Sequence, residues 1–228
     1  MIRPAVFAGL PGLVAGFTTR DFAGAGAEET WAARHRLGER FGFPAVAAAG
    51  QVHGDAVGVV REGGYVPEHD GLVTDRAGLL LTLISADCAL LLLADPEAGV
   101  LGACHSGWRG TAAGIVTKTV EAMHDLGAEP ARMRAYLSPC ISAEAFEVGE
   151  EVAARFDARF VLRRPEWPRP HVDLKAVLED QLRAAGVPAS QIEVDSACTA
   201  SDLGRFYSYR AEGGTAGRMV GFLGRHAP

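Results

Sequence analysis

The chain has 228 residues, with 22 Lys and Arg against 28 Asp and Glu, for a formal net charge of −6. That balance argues against nucleic-acid binding, which needs a positive surface. With 48% hydrophobic residues the chain can bury one substantial core, read here as a single domain over residues 1–228.

The opening run MIRPAVFAGLPGLVAGF, followed by AGAGA at 23–27, loosely imitates a secretion signal. Pro11 and several glycines break its apolar stretch, and Arg20-Asp21 precede any cleavage-like site. Four cysteines, Cys88, Cys104, Cys140 and Cys198, are dispersed without a CxxC pair. They read as reduced thiols of a cytoplasmic protein rather than a disulfide framework.

Apolar spacing predicts a helix over Glu28 to Phe43, ended by Gly42 and Pro44. Val57 to Val60 reads as a short strand after a turn at His53-Gly54-Asp55, and Glu62 to Asp70 as a polar loop. Gly78 to Ala94 is nearly all apolar but short for a membrane span, and Asp87 sits in its middle. Two buried strands, Leu79 to Ile84 and Ala89 to Leu93, are expected there instead, with no membrane partner. Val100 to Cys104 is a third strand and Thr111 to Leu126 a helix stopped at Gly127. Further on, Met133 to Leu137 is a strand, and Val148 to Phe156 and Asp173 to Ala185 are helices. Arg163 to Pro170 is a surface loop. Ile192 to Val194, Phe206 to Tyr209 and Arg218 to Leu223 are late strands. Strands and helices without strict alternation predict an α+β fold, a large mixed sheet flanked by helices.

Three residues carry the chemistry. Cys88 follows Asp87 where two apolar runs break, and buried polar groups there need partners; a buried thiol and a turn-capping acid are the plain alternative. His105 ends the third strand in CHSGWRGTAAG. The glycines of that loop permit close backbone approach, and Arg109 with the following helix start makes an anion-site candidate. The alternative is a structural turn with Trp108 in the core. His53 lies in QVHGD. Imidazole and thiolate suit zinc or copper, and three ligands with a fourth position open is the pattern of a catalytic zinc. The spacings of these residues carry no short-range zinc motif. Cys104 precedes His105 on a strand, so its side chain is expected on the opposite face. Cys140, after Pro139, is placed in a turn that lines the pocket.

At these residues the chain resembles a known family. QVHG, ADC, HSGWRG, SPCI, FEVG, CT, FYSYR and a final GR occur in this order in the YfiH-like family, which carries the labels multicopper polyphenol oxidase (laccase), purine nucleoside phosphorylase and peptidoglycan editing factor. The likeness runs from Thr18-Thr19-Arg20 to Gly217-Arg218. Ser106 and Ser138 stand where the family more often has Ala and Gly, and Leu90 where a Pro is common. The resemblance implies a mixed-sheet α+β fold and a metal site of two His and one Cys, mapping onto His53, Cys88 and His105. It also implies phosphorolysis of adenosine, inosine or methylthioadenosine, and adenosine deamination. The partners would then be a small-molecule nucleoside and phosphate, with zinc as the cofactor and copper second to it. Arg109, and less strongly Arg20, are the phosphate candidates. The laccase label fits less well, since seven His in all without an HxH pair cannot hold a multicopper cluster. A cysteine hydrolase acting on a peptidoglycan-related amide, with Cys88 as nucleophile, is the competing chemistry.

Overall fold

The apolar runs on either side of Asp87 are buried on both faces because each strand lies between two layers. The structure, a computed structural model, describes residues 1–22 and 27–227, and the side chains of these other than 27–29. A five-stranded sheet runs in the order β1 (Leu13–Phe17), β13 (Met219–Arg225), β6 (Leu79–Ser85), β2 (Ala45–Ala49), β4 (Gly64–Val66). A six-stranded sheet runs β12 (Ile192–Val194), β9 (Arg134–Leu137), β7 (Ala89–Asp95), β8 (Val100–Ser106), β5 (Gly71–Thr74), β3 (Val57–Val59). Both are mixed: β6–β2–β4, β12–β9 and β5–β3 are parallel pairs, and the remaining pairs are antiparallel, while β10 (Val161–Leu162) and β11 (His171–Val172) form a separate antiparallel pair.

The two sheets face each other across one core. Leu79, Leu81 and Leu83 of β6 meet Leu90 and Leu92 of β7, with Phe17, Leu72 and Tyr136. The intervening residues point the other way, as a period of two requires. Leu80 packs with Val220, Phe222 and Leu37 of helix α1 (Ala27–Phe41). Leu91 and Leu93 pack with Ile115, Val120 and Met123 of α3 (Ile115–Asp125), following the short α2 (Trp108–Ala112), and with Leu178 and Leu182 of α5 (Leu174–Ala184), which follows α4 (Glu150–Ala153). The layers are helix, sheet, sheet, helix. Each fully buried leucine contributes about 1.5–3 kcal/mol. No helix among the described residues is long and apolar enough to cross a membrane.

The α+β architecture with mixed sheets is the one expected, but the mixed sheet is two sheets. The signal-like opening contains β1, which pairs along its length with β13; residues 23–26 of the AGAGA stretch lie outside the described residues. The helix expected over Thr111 to Leu126 starts earlier, at Trp108, and breaks at Gly114, whose φ of 78° is left-handed. The helix expected over Val148 to Phe156 is the single turn of α4. Phe206 to Tyr209 is not a strand: it leads into α6 (Tyr209–Glu212). Arg163 to Pro170 is an irregular, mostly exposed loop, as expected.

Candidate active site

The chain crosses from the five-stranded to the six-stranded sheet at QVHG, between β2 and β3, and again at ADC, between β6 and β7. Both crossings fall beside the end of β8. This brings together His53, Cys88 and His105, whose ligand atoms all lie within 4.8 Å of one another. His105 is buried, Cys88 half-buried and His53 exposed. The two imidazoles stand edge to face at 4.9 Å between centroids. Four non-glycine residues described have left-handed φ, and three of them, Gln51, His53 and Asp87, lie in these crossings. Such conformations persist where surrounding contacts enforce them, and they concentrate at functional sites.

Asp70 enforces the first crossing. Its carboxylate is fully buried. Oδ2 accepts the backbone N–H groups of Val52 (3.0 Å) and Gly54 (2.8 Å), while Oδ1 accepts that of His53 (3.0 Å) and meets His105 Nδ1 at 2.8 Å. One acid therefore shapes the loop that carries His53 and orients the ring of His105. Burial by itself raises the Asp70 pKa; the His105 and N–H bonds outweigh it and hold the carboxyl below its usual range. With Nδ1 directed at Asp70, Nε2 of His105 is the ring atom left for Cys88 or a metal. Gln51 closes the loop against β6, donating Nε2 to Ile84 O (2.6 Å) and accepting Ile84 N–H at Oε1 (2.8 Å).

Asp87 holds the second crossing. It accepts Thr199 Oγ1 (2.6 Å), Ser208 Oγ (3.0 Å) and Arg210 N–H (2.7 Å), fixing two late loops over the site. Cys88 beside it has a thiol that burial pushes up, but hydrogen bonds with His105 and His53 dominate and bring it well below its ordinary value. His105 is shifted the other way: burial lowers it, and its bonds to Asp70 and Cys88 raise it overall. The glycines of HSGWRG are close-approach positions. A Cβ on Gly107 would lie 3.0 Å from Cys88 Sγ and 3.1 Å from His53 Cδ2, and one on Gly110 would lie 2.8 Å from Gly54 O.

The cluster opens into a cavity of about 610 Å³, within the roughly 300–1,000 Å³ usual for small-molecule sites. Ile84, Trp108, Ile141, Phe146, Leu174 and Tyr209 give it a largely apolar wall, and Arg210 and Arg218 add charge. Neither Arg109 nor Arg20, the phosphate candidates of the sequence, lines it. Arg109 is exposed and lies over the Trp108 ring at 4.4 Å. Arg20 donates to Phe206 O and Glu212 Oε1 and stacks on Tyr207, a buttress rather than a wall. The N–H of Thr111, expected to be free at a helix start, bonds Gly107 O within the five-residue α2. Cys140 does not line the cavity either: it is fully buried in the outer core, its thiol pushed up to about 12 by burial, and Ile141 takes the wall position. Cys104 shares that core, on the face opposite His105, with its thiol also raised to about 12 by burial. Cys198 accepts from Ser142 N and Ser201 Oγ. Asp70, Asp87, Arg210 and Arg218 went unrecognised in the sequence as site residues. The FYSYR and GR motifs were the available signal for the two arginines.

A sulfur and two imidazole nitrogens converging beside a cavity define the class as a mixed α+β protein with a one-metal donor set. The chain belongs to the family described as multi-copper polyphenol oxidoreductase laccase, whose model matches residues 14–226. It is 45% identical over 197 residues to a protein of Deinococcus radiodurans named purine nucleoside phosphorylase, covering 84% of this chain and 75% of that one. It is 38% identical over 155 residues to adenosine deaminase RL5 from an unknown prokaryotic organism, covering 65% of this chain and 59% of that one. The crystal structure of YlmD from Geobacillus stearothermophilus superposes with a TM-score of 0.86 at 32% identity, over 98% of this chain and 94% of that one. These relatives support an enzyme of the purine nucleoside kind.

The donor set does not fit a multicopper centre. Among the described residues His53, Cys88 and His105 are the one group of three or more such donors. The other histidines are dispersed: His35 packs on Trp31, His226 on Phe43 and His171 on Trp167, while His69 and His124 bond Pro67 O and Ala128 O.

Proposed function

We propose that the chain is a zinc-dependent purine nucleoside enzyme, catalysing phosphorolysis of adenosine, inosine or methylthioadenosine and deamination of adenosine. The observation that carries this reading is the His53–Cys88–His105 group opening on an apolar cavity of nucleoside size. Two nitrogens and one thiolate fit zinc, and copper ranks second. When bound, the ion supplies Lewis-acid polarisation at the reacting atoms.

The chain's own residues do the rest. Phe146, Trp108, Ile84 and Leu174 offer flat and aliphatic surface to a purine and exclude water from it. Asp70 fixes the His105 tautomer through Nδ1. Asp87 is occupied by three donors, so it serves as a scaffold rather than a free base. The test is a turnover screen of the purified protein with adenosine, inosine and methylthioadenosine, with and without phosphate, resolved by chromatography. Free base that appears only with phosphate, and inosine from adenosine without it, are expected. No turnover of any nucleoside rejects the reading.

One observation favours a second chemistry. Cys88, His105 and Asp70 form a line of nucleophile, base and orienting acid, with the thiol held toward thiolate. A cysteine hydrolase of amides built on that line keeps its activity in the presence of a chelator; the zinc enzyme loses it.

A further inference from the structure

Two late motifs, FYSYR and GR, are unexplained by the metal group alone. They converge on the cavity wall. Arg218 sits one residue before β13 and lines the cavity with the His53–Cys88–His105 group. Its Nη1 donates to the carbonyls of Ala216 (2.6 Å) and Gly217 (2.9 Å), which anchors one corner of the guanidinium. The backbone beneath is pressed against an aromatic ring, since a Cβ on Gly217 would fall 2.5 Å from Tyr207 Cζ. That ring is held in turn under the Arg20 guanidinium, at 4.2 Å, and Arg20 is tied to Glu212. Arg218 is thus carried on a braced platform.

The anchoring leaves the other edge of the fork, Nε with Nη2, without a protein acceptor among the described residues, and no carboxylate there pairs with Arg218. The second cationic wall residue differs. Arg210 donates Nη1 to Ala145 O (3.1 Å) and Nη2 to Glu147 O (2.9 Å), a clamp between two loops. A guanidinium edge with two parallel N–H groups matches two oxygens of a tetrahedral oxyanion.

We propose that Arg218 is the phosphate-binding residue of this cavity. The assignment rests on the purine nucleoside reading for its consequence: in phosphorolysis a phosphate oxygen bonds to the anomeric carbon of the sugar, the carbon–nitrogen glycosidic bond breaks, and its electron pair leaves on the purine nitrogen, which takes up the proton that phosphate gives up. The same edge also fits a 5′-phosphate carried on a nucleotide, so the shared chemistry is a phosphate oxyanion and the test separates its two carriers.

Calorimetric titration of inorganic phosphate into the whole protein, with Arg218→Ala, Arg218→Lys and Arg109→Ala beside wild type, decides the site without depending on turnover. Loss of a charge-assisted bidentate contact predicts weakening by about tenfold or more in Arg218→Ala, with Arg218→Lys between. The KM for phosphate in phosphorolysis should rise by a similar factor, and adenosine deamination, which uses no phosphate, should fall less. If wild type instead prefers adenosine monophosphate over adenosine and Arg218→Ala erases that preference, the phosphate bound is the nucleotide's. Unchanged phosphate affinity in a folded Arg218→Ala protein overturns the assignment, as does a larger loss in Arg109→Ala. If wild type turns over no nucleoside, the purine reading falls while the titration still decides Arg218.

Discussion

Replacing Asp70 with asparagine keeps the shape of a fully buried side chain and removes one acceptor oxygen. If the amide nitrogen takes the Oδ2 position, the N–H groups of Val52 and Gly54 lose their acceptor; if it takes Oδ1, His53 N–H and His105 Nδ1 do. Either way two donors are orphaned, and because the loop N–H groups are only part-buried the cost is at most roughly 1–3 kcal/mol each, or up to about 6 kcal/mol together. Set against a total stability of about 5–15 kcal/mol, that is a large fraction. In a chain of this length it lowers the melting midpoint by roughly 2–4 °C per kcal/mol. Because Asp70 also orients His105, one of the proposed zinc ligands, zinc affinity should fall about 10–100-fold. Urea unfolding of the chelated protein measures the first effect, and competition with a chromophoric chelator measures the second. A stability change under about 0.5 kcal/mol, the scale of an inert surface substitution, together with unchanged zinc affinity would refute the role given to Asp70.

Gly107→Ala puts a methyl group 3.0 Å from Cys88 Sγ, so the cluster must shift by a few tenths of an ångström; turnover should drop about tenfold or more while the midpoint moves little. Wild-type kinetics in that variant would show that Gly107 is not a close-approach position. Asp95 is fully buried, and although burial raises its carboxyl, bonds from Arg132 and the N–H groups of Glu129, Ala98 and Glu97 hold it below the usual range. A depressed pKa gives stability that is present above the unfolded value of about 3.9 and lost as pH falls through the folded one. The stability gap between wild type and Asp95→Asn should therefore be constant from neutral pH to about 5 and close below about 4; a gap that widens in acid would contradict the assignment.

The two central strands were legible because continuous apolar runs have no other stable place than between layers, and the three donor residues because a thiol and two imidazoles at strand ends are chemically conspicuous. The partition into two sheets was not legible. Nothing in LLLTLIS or ALLLLAD tells a crossing between sheets from a hairpin within one, and Asp87-Cys88 at the break fits both. The strand Leu13–Phe17 was hidden by its likeness to a leader, and its pairing with the C-terminal strand spans nearly the whole chain. In the sequence Asp70 is only the end of a polar loop, since its role depends on four donors that come together only in three dimensions. The placement of Arg109 was illegible for a related reason: it is adjacent to the site in sequence, but its exposed side chain lies over the ring of the wall residue Trp108 and does not itself line the cavity. Arg218, 113 positions after His105, reaches the cavity through the register of β13.

The most direct test of the central claim is the metal content, by inductively coupled plasma mass spectrometry, of protein purified without added metal, for wild type and Cys88→Ala. One zinc per chain in wild type, lost in a Cys88→Ala protein that keeps its circular dichroism spectrum, is the expected result. A folded Cys88→Ala protein still holding one equivalent, or a wild type carrying several coppers per chain, would contradict it.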